Sequence, residues 1–364
     1  MILTQKSREI IDSCRFCWMC RHICPIGNAT GQERNNARAR ALALSMVDRG
    51  SEQLKNVIDN VYECALCGAC TKECVTGWDP VKFTKEVRLQ AALDGCLPDY
   101  INQLLDNLES TGNIYGQTEI DKELLSEIDS LPKQSDTLLF LGRDAIFKSP
   151  ASAVNAIRLL KAAKVDFTVL PQEPDSGYMM DALAGASEET RQMMMDTAKQ
   201  LDYQTIIAYD PCDAKTFLRE YQEWNIKLSA NVVTFTAYLA DLAESGRLKL
   251  QKSKKSYTFQ DPAHLARDLE ETQAARTILA ACGQIKEMLL HGKDTMWAGS
   301  CMMYQYMPDV MRKTASNRWL NAENVGAKVL VTACPGEYEI LKLAKPEQID
   351  IMTIEEVVLS CLLD

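Results

Sequence analysis

What this 364-residue chain lacks narrows its function before any motif is read. It has no basic surplus: 40 Lys and Arg against 50 Asp and Glu leave a net charge of −10. Phosphate backbones are bound by clustered Lys and Arg, so no nucleic-acid partner is expected. No apolar run approaches the roughly 20 residues of a membrane span. The opening MILTQKSREIIDSC lacks the apolar core of a signal peptide. The expected location is therefore cytoplasmic, with no direct membrane span and attachment to the cytoplasmic face only through partners. What remains is ordinary for a soluble globular protein, 46% hydrophobic and 25% charged. The length allows two or three domains.

Cysteine is where the chain departs from the ordinary. Of 14 cysteines, eight fall in the first 74 residues, in two arrays of identical spacing. CRFCWMCRHIC supplies Cys14, Cys17, Cys20 and Cys24, and CALCGACTKEC supplies Cys64, Cys67, Cys70 and Cys74. A proline, Pro25, follows the first array, whereas Val75 follows the second. In a large chain without an export signal, regular cysteine spacing points to reduced metal ligands rather than disulfides. C-x2-C-x2-C-x3-C repeated twice is the bacterial-type pattern for a pair of [4Fe–4S] clusters, the fourth cysteine of each array serving the other cluster. One cluster is thus expected on Cys14, Cys17, Cys20 and Cys74, the other on Cys64, Cys67, Cys70 and Cys24. The competing reading, two four-cysteine zinc sites, fits less well because zinc ribbons pair separate C-x2-C knuckles.

Around the arrays the pattern is helical. Two helices are expected between them, from Ala39 to Met46 and from Leu54 to Val61, and VKFTKEVRLQAAL after Pro80 forms another. Trp18 and Trp78 are expected to shield the clusters. Arg15, Arg21, His22 and Lys72 would raise a cluster's potential or form a docking rim.

Residues 101–136 read as a helical connector. From 137 onward apolar strands alternate with helices: TLLFLG (137–142), then SPASAVNAIRLLKAAK with Ser149 as cap, DFTVL, and TIIAYD ending at Asp210. SYTFQDP (256–262), helices over 270–281 and near 306–323, and KVLVTAC ending at Cys334 continue the order. Such alternation implies parallel sheets flanked by helices. QTIIAYDPCDAKTFL (204–218) parallels AKVLVTACPGEYEIL (327–341), each a strand, then x-Pro, then a helix. The expected fold is α+β and α/β, multi-domain: a helical two-cluster ferredoxin-like module, then a duplicated α/β domain. The expected boundaries are 1–105, a connector 106–136, and halves 137–250 and 251–364.

The cysteine arrays followed by the α/β repeat resemble the heterodisulfide reductase D and glycolate oxidase iron–sulfur subunit family, relatives of which serve anaerobic glycerol-3-phosphate dehydrogenase and thiol:fumarate reductase. GQERNNARARALAL (31–44), DPAHLAR (261–267) and GAKVLVTACP (326–335) are similar to the corresponding family segments. The resemblance implies a CCG motif in each C-terminal half, with a lone cysteine upstream and C-P-x-C downstream. Here the first set reads Arg143, Asp175-Ser176-Gly177 and Asp210-Pro211-Cys212-Asp213. The second reads Ala263, Trp297-Ala298-Gly299 and Cys334-Pro335-Gly336-Glu337. Of ten thiolates only Cys334 survives, so no cluster is expected in these CCG-like halves, while Gly177, Gly299, Pro211 and Pro335 retain the backbone. Arg143, Asp175, Asp210 and Asp213 are expected to form a charged network in the first vacated pocket, and Trp297 to fill the second. A metal site using carboxylates with His264, Glu337 and Cys334 is the sharper alternative. Cys96, Cys282 and Cys361 read as buried thiols, Cys301 as lying near but off the lost motif, and Met193–Met195 as packing residues.

A dicluster module relays single electrons and cannot by itself activate an organic substrate. The expectation is a non-catalytic electron-transfer subunit of an oxidoreductase complex. The resemblance implies an FAD flavoprotein partner oxidising a small organic substrate, with a quinone, ferredoxin or other carrier as acceptor. A catalytic reductase or metal-dependent enzyme using the C-terminal pocket, and an iron–sulfur sensor, stand as alternatives.

Overall fold

The computed structural model describes residues 3–15 and 17–363. Met1 and Ile2 of the first expected domain, Phe16 within the first array, and Asp364 at the end of the last half lie outside the described residues.

The N-terminal part is all helical. Gln5–Asp12 is capped by the Thr4 hydroxyl, which accepts from the Ser7 amide at 3.2 Å. Short helices Met19–Ile23 and Ala69–Glu73 each follow the first half of an array and pack on one another. Ala37–Asp48 and Leu54–Tyr62 fill the interval between the arrays, as their apolar spacing predicts. Pro80–Leu93 starts with proline at its first position, and Asp79 accepts from the Val81 and Lys82 amides. Leu44, Tyr62, Phe83 and Val87 lie in the core of this module. The connector forms helices Asp99–Thr111 and Lys122–Asp129.

Two parallel sheets follow. The first comprises β1 (Thr137–Phe140), β2 (Thr205–Ala208) and β3 (Asn231–Thr234), in that spatial order. The second comprises β4 (Ser256–Gln260), β5 (Gln284–Ile285), β6 (Val329–Thr332) and β7 (Asp350–Thr353), ordered β5-β4-β6-β7. DFTVL is not a full strand: Thr168 makes a single bridge to Leu138. Ser149 does not cap Pro150–Ala162; its hydroxyl is spent on Ser152 and Glu339 at 2.7 and 2.8 Å.

Strand periodicity decides the packing. Alternate residues point to opposite faces, so Leu139, Ile207, Phe259 and Val331 enter one shared core between the two sheets. Leu138, Phe140, Ile206 and Ala208 face a second cluster, and Leu330 a third. Both faces of each sheet are covered, which is why β1, β2 and β6 read as continuous apolar runs rather than alternating ones. The carboxyl ends of β2 and β6 both run into x-Pro and then a helix, Pro211–Lys215 and Pro335–Lys342. Where strands of such sheets end is where ligands ordinarily bind. Single π turns at Thr216–Glu220 and His264–Asp268 flank these ends, irregularities that concentrate at functional sites.

Candidate metal centre and the cavity behind it

The two arrays adopt one loop shape. Trp18, after the second cysteine of the first array, has φ +69°, and Gly68, its counterpart, has φ +70°. Glycine takes this conformation freely; a tryptophan there costs about 1 kcal/mol, a strain the loop imposes. Contrary to expectation, Trp18 is 48% exposed, held beneath the Arg38 guanidinium 3.3 Å from its ring centre. Trp78 does shield: it is 2% exposed.

Cys24 turns back onto the second array. A cavity enclosing about 360 Å³ of atom-free space, mouth included, is lined by Cys24, Cys64, Cys67 and Cys70 among apolar Ile26, Ala37, Leu66 and Val81. Burial pushes the Cys24 thiol up to about 12 and the Cys70 thiol well above its ordinary value, with the neighbouring thiols adding to the rise at both. Backbone amides already aim at the sulfurs: Gly27 N–H donates to Cys24 and Leu66 N–H to Cys64, each at 3.4 Å. A four-thiol lining, an apolar wall and amide donors to sulfur fit a [4Fe–4S] group. Among the described residues no three His, Cys, Asp or Glu side chains converge closely enough to hold a single metal ion. The cavity instead spreads its thiols around a volume, as a cubane needs and a mononuclear zinc does not.

One residue here was not singled out from sequence. Arg40 lies in the Arg-rich helix, is buried, lines the same cavity, and donates to the Asn60 carbonyl at 2.9 Å and the Asn35 carbonyl at 3.3 Å. Its charge faces Cys24 and Cys70. Its signal in sequence was only one arginine among several.

Cys14 and Cys17 flank Cys20, with Cys17 exposed and Cys20 buried. Cys74 is half-buried beside the Thr76 hydroxyl at 3.2 Å. Of the rim cations, Arg21 pairs with Glu33 at 2.9 Å and Lys72 pairs with Asp294 of the C-terminal part. The first array therefore sits toward solvent and the second toward the interior.

Arginines fasten the second array to the α/β units. Arg88, fully buried, donates to the carbonyls of Cys64, Val61 and Ala182 at 2.7, 3.0 and 2.6 Å. Arg267 donates to the carbonyls of Cys67 and Thr295, both at 2.7 Å. The Tyr62 hydroxyl donates to the Leu183 carbonyl at 2.7 Å.

Behind this loop lies a second cavity, lined by Cys64 and Leu66 on one side and by Cys212, His264, Trp297, Cys334 and Glu337 on the other. It holds about 540 Å³ of atom-free space, mouth included, at the joint carboxyl ends of both sheets. Trp297 is buried in its wall without closing it. Beside it, Arg143, Asp175, Asp210, Asp213 and Cys212 line a smaller pocket. Only Arg143 and Asp175 pair there, at 3.6 Å. The other carboxyls hold their protons more tightly than usual: burial raises Asp210 to about 7, with the charge of Asp144 adding, and raises Asp213 well above its ordinary value. Asp213 accepts from the Ser176 hydroxyl. Burial likewise takes Glu337 to about 8, where it accepts from Gln260 at 3.1 Å. The expected network is thus one ion pair beside buried acids whose pKa values are raised.

Gly177 and Gly299 have φ +92° and +124°, and a Cβ would meet Met194 and Ile340 at 2.5 Å, so the retained glycines have a backbone reason. Cys282 and Cys361 are buried and in contact, as expected of inert thiols, but Cys96 is only half-buried.

A family model of the 4Fe-4S dicluster domain matches residues 10–78, the stretch holding both arrays. The D component of the dihydromethanophenazine:CoB–CoM heterodisulfide reductase of Methanosarcina acetivorans is 22% identical over 365 residues, spanning 92% of this chain and 88% of that one. Another relative, an iron–sulfur protein of Methanocaldococcus jannaschii, is 23% identical over 96% of the chain and 73% of its own. The chain is thus similar to these iron–sulfur proteins over most of its length. A probable membrane-anchored ferredoxin of Chromohalobacter salexigens is 28% identical over 66% of the chain, which spans only 38% of that protein's length. Among the described residues of this chain no helix is long and apolar enough to cross a membrane. A hypothetical protein from Helicobacter pylori shares the fold, with TM-score 0.55 and 11% identity over 100% of this chain and 73% of that one.

Proposed function

We propose that this chain is an electron-transfer subunit of an oxidoreductase complex, carrying two [4Fe–4S] clusters that pass electrons one at a time. The observation that carries the reading is the cavity bounded by Cys24, Cys64, Cys67 and Cys70 beside the buried charge of Arg40. Cys24, Cys64, Cys67 and Cys70 would hold the inner cluster; Cys14, Cys17, Cys20 and Cys74 the outer. Bound there, such groups supply single-electron storage at potentials set by charge, hydrogen bonding and exposure. Arg40 stabilises the negative charge of the reduced state, the amides of Gly27 and Leu66 orient the sulfurs, and the apolar wall excludes water.

The exposed first array is the docking side, where an FAD flavoprotein oxidising a small organic substrate delivers electrons. A quinone, ferredoxin or other carrier takes them onward, and membrane attachment comes through such partners. Residues 1–105 form the dicluster module and 106–136 the connector. Residues 137–250 and 251–364 form duplicated halves whose lost cysteines leave a cluster-free framework.

Iron analysis and EPR of anaerobically prepared protein test this reading. About eight iron per chain with cubane signals alone is the expected result. Cys70→Ala should abolish electron throughput while a partner flavin is still reduced by its substrate; throughput that survives refutes the relay.

A further inference from the structure

Cys212 was expected to fall off the ligand set, and Cys334 to be a remnant. The fold brings them together. Cys212 lies in the first turn after β2 and Cys334 caps the helix after β6, and both line the cavity that Cys64 also borders. Each thiol is the first influence on the other's acidity.

Two further observations set this pair apart from packed cysteines. The Cys212 thiol also meets the Tyr178 hydroxyl. That hydroxyl lies 3.4 Å from His264 Nε2, and His264 Nδ1 lies 2.7 Å from Asp268. Asp268, paired with Arg219 at 2.7 Å, borders an open polar cleft with Lys72, Lys85 and Lys293. A continuous line of hydrogen-bonding groups thus runs from a secluded thiol to solvent, through a histidine seated on a π turn. The comparison within the molecule is Cys282 with Cys361: these thiols also touch, yet they lie in the shared apolar core, bordering neither cavity nor cluster loop.

We propose that Cys212 and Cys334 are a redox-active pair, a third redox centre that exchanges two electrons with the inner cluster loop across their common cavity. The pair rests on the relay reading for its electron acceptor. When the S–S bond forms, two S–H bonds break. Two protons leave, one along Tyr178, His264 and Asp268 and the second by the same line after the first has cleared. Two electrons leave, one to each of the two clusters the N-terminal module would hold. Reduction is the reverse, and the charge and atoms balance within the chain. The pair would convert one two-electron event into two single-electron ones.

The test uses the full chain, prepared anaerobically with its iron, poised with mediators at a series of potentials and quenched in acid. Free thiols are alkylated with a light reagent, then disulfides are reduced and alkylated with a heavy one. Peptide mass spectrometry should show Cys212 and Cys334 switching together, with the steepness of a two-electron couple. Cys282, Cys361 and Cys301 should stay light throughout. Tyr178→Phe should slow the switch by at least about tenfold without moving its midpoint.

Cys212 and Cys334 remaining light at every potential, in protein with about eight iron, overturns the proposal and leaves the relay standing. Cys282 and Cys361 switching alongside them also overturns it, since proximity alone would then explain the result. A chain without iron overturns both readings.

Discussion

Arg267 Nε donates to the Cys67 carbonyl at 2.7 Å, so a residue of the second α/β unit holds the loop of an array 200 positions earlier. Its other guanidinium nitrogen reaches Thr295 at 2.7 Å. One planar fork therefore joins the metal-binding loop to the sheet's carboxyl edge, which a lysine could not do. Arg267→Lys should lower global stability by about 2–3 kcal/mol, from lost charge-assisted bonds. It should also change the EPR line shape of one cluster and leave the other as in the parent chain. Urea unfolding and EPR measure the two effects, and an unchanged spectrum would show that the clamp is merely structural.

Arg40 places a buried charge on the cavity of the second array. Arg40→Met removes that charge and leaves the Asn60 carbonyl without its donor. The reduced, more negative state suffers most. Each 1.4 kcal/mol of lost stabilisation lowers a one-electron potential by about 60 mV. A drop of roughly that size is expected for one cluster only, read by potentiometric EPR titration.

The buried acids predict a pH dependence with a definite sign. Burial raises Asp144 to about 6, Asp210, Glu173 and Glu355 to about 7, and Glu337 to about 8. Unfolded, these groups ionise near 4. Their folded pKa exceeds the unfolded one, so their contribution is full below about 4 and is lost as pH rises to about 8. Glu337→Gln, which cannot ionise, should be more stable than the parent at pH 8 by about 4 kcal/mol, and nearly equal at about pH 4. Glu220 runs the other way. Burial opposes its ionisation, but Lys215 and Lys85 prevail and hold it down at about 2, so its stabilisation is present at neutral pH and fades toward pH 2. Denaturant midpoints across this range check both.

Gly299 and Gly246 separate backbone strain from crowding. Both have positive φ, +124° and +74°, but a Cβ at Gly299 meets Ile340 at 2.5 Å while none meets anything at Gly246. Gly246→Ala should cost about 1 kcal/mol, and Gly299→Ala about 3, with crowding added. Equal losses would mean that Ile340 yields freely.

Much of this molecule could be read along the chain. The eight cysteines are legible because a cluster loop needs its thiols at fixed short intervals. The helices between the arrays and the strands from Thr137 onward are legible because burial writes a period into the sequence. Local signals failed where a longer-range contact outbid them. Ser149 has the look of a cap, but Glu339 takes its hydroxyl. Trp18 has the look of a shield, but the loop's left-handed turn carries it outward beneath Arg38.

Sequence alone determined the arrays and the alternation of strands and helices, because each of these is a matter of residue type at short spacing. Tertiary structure alone decided which distant groups meet. Cys212 with Cys334, Tyr178 with His264, Arg88 with Ala182, and Arg267 with the second array are each separated by many tens of residues or more. Such pairs leave no periodic trace, since they are set by how two sheets share one core and present their carboxyl ends to the same cavity.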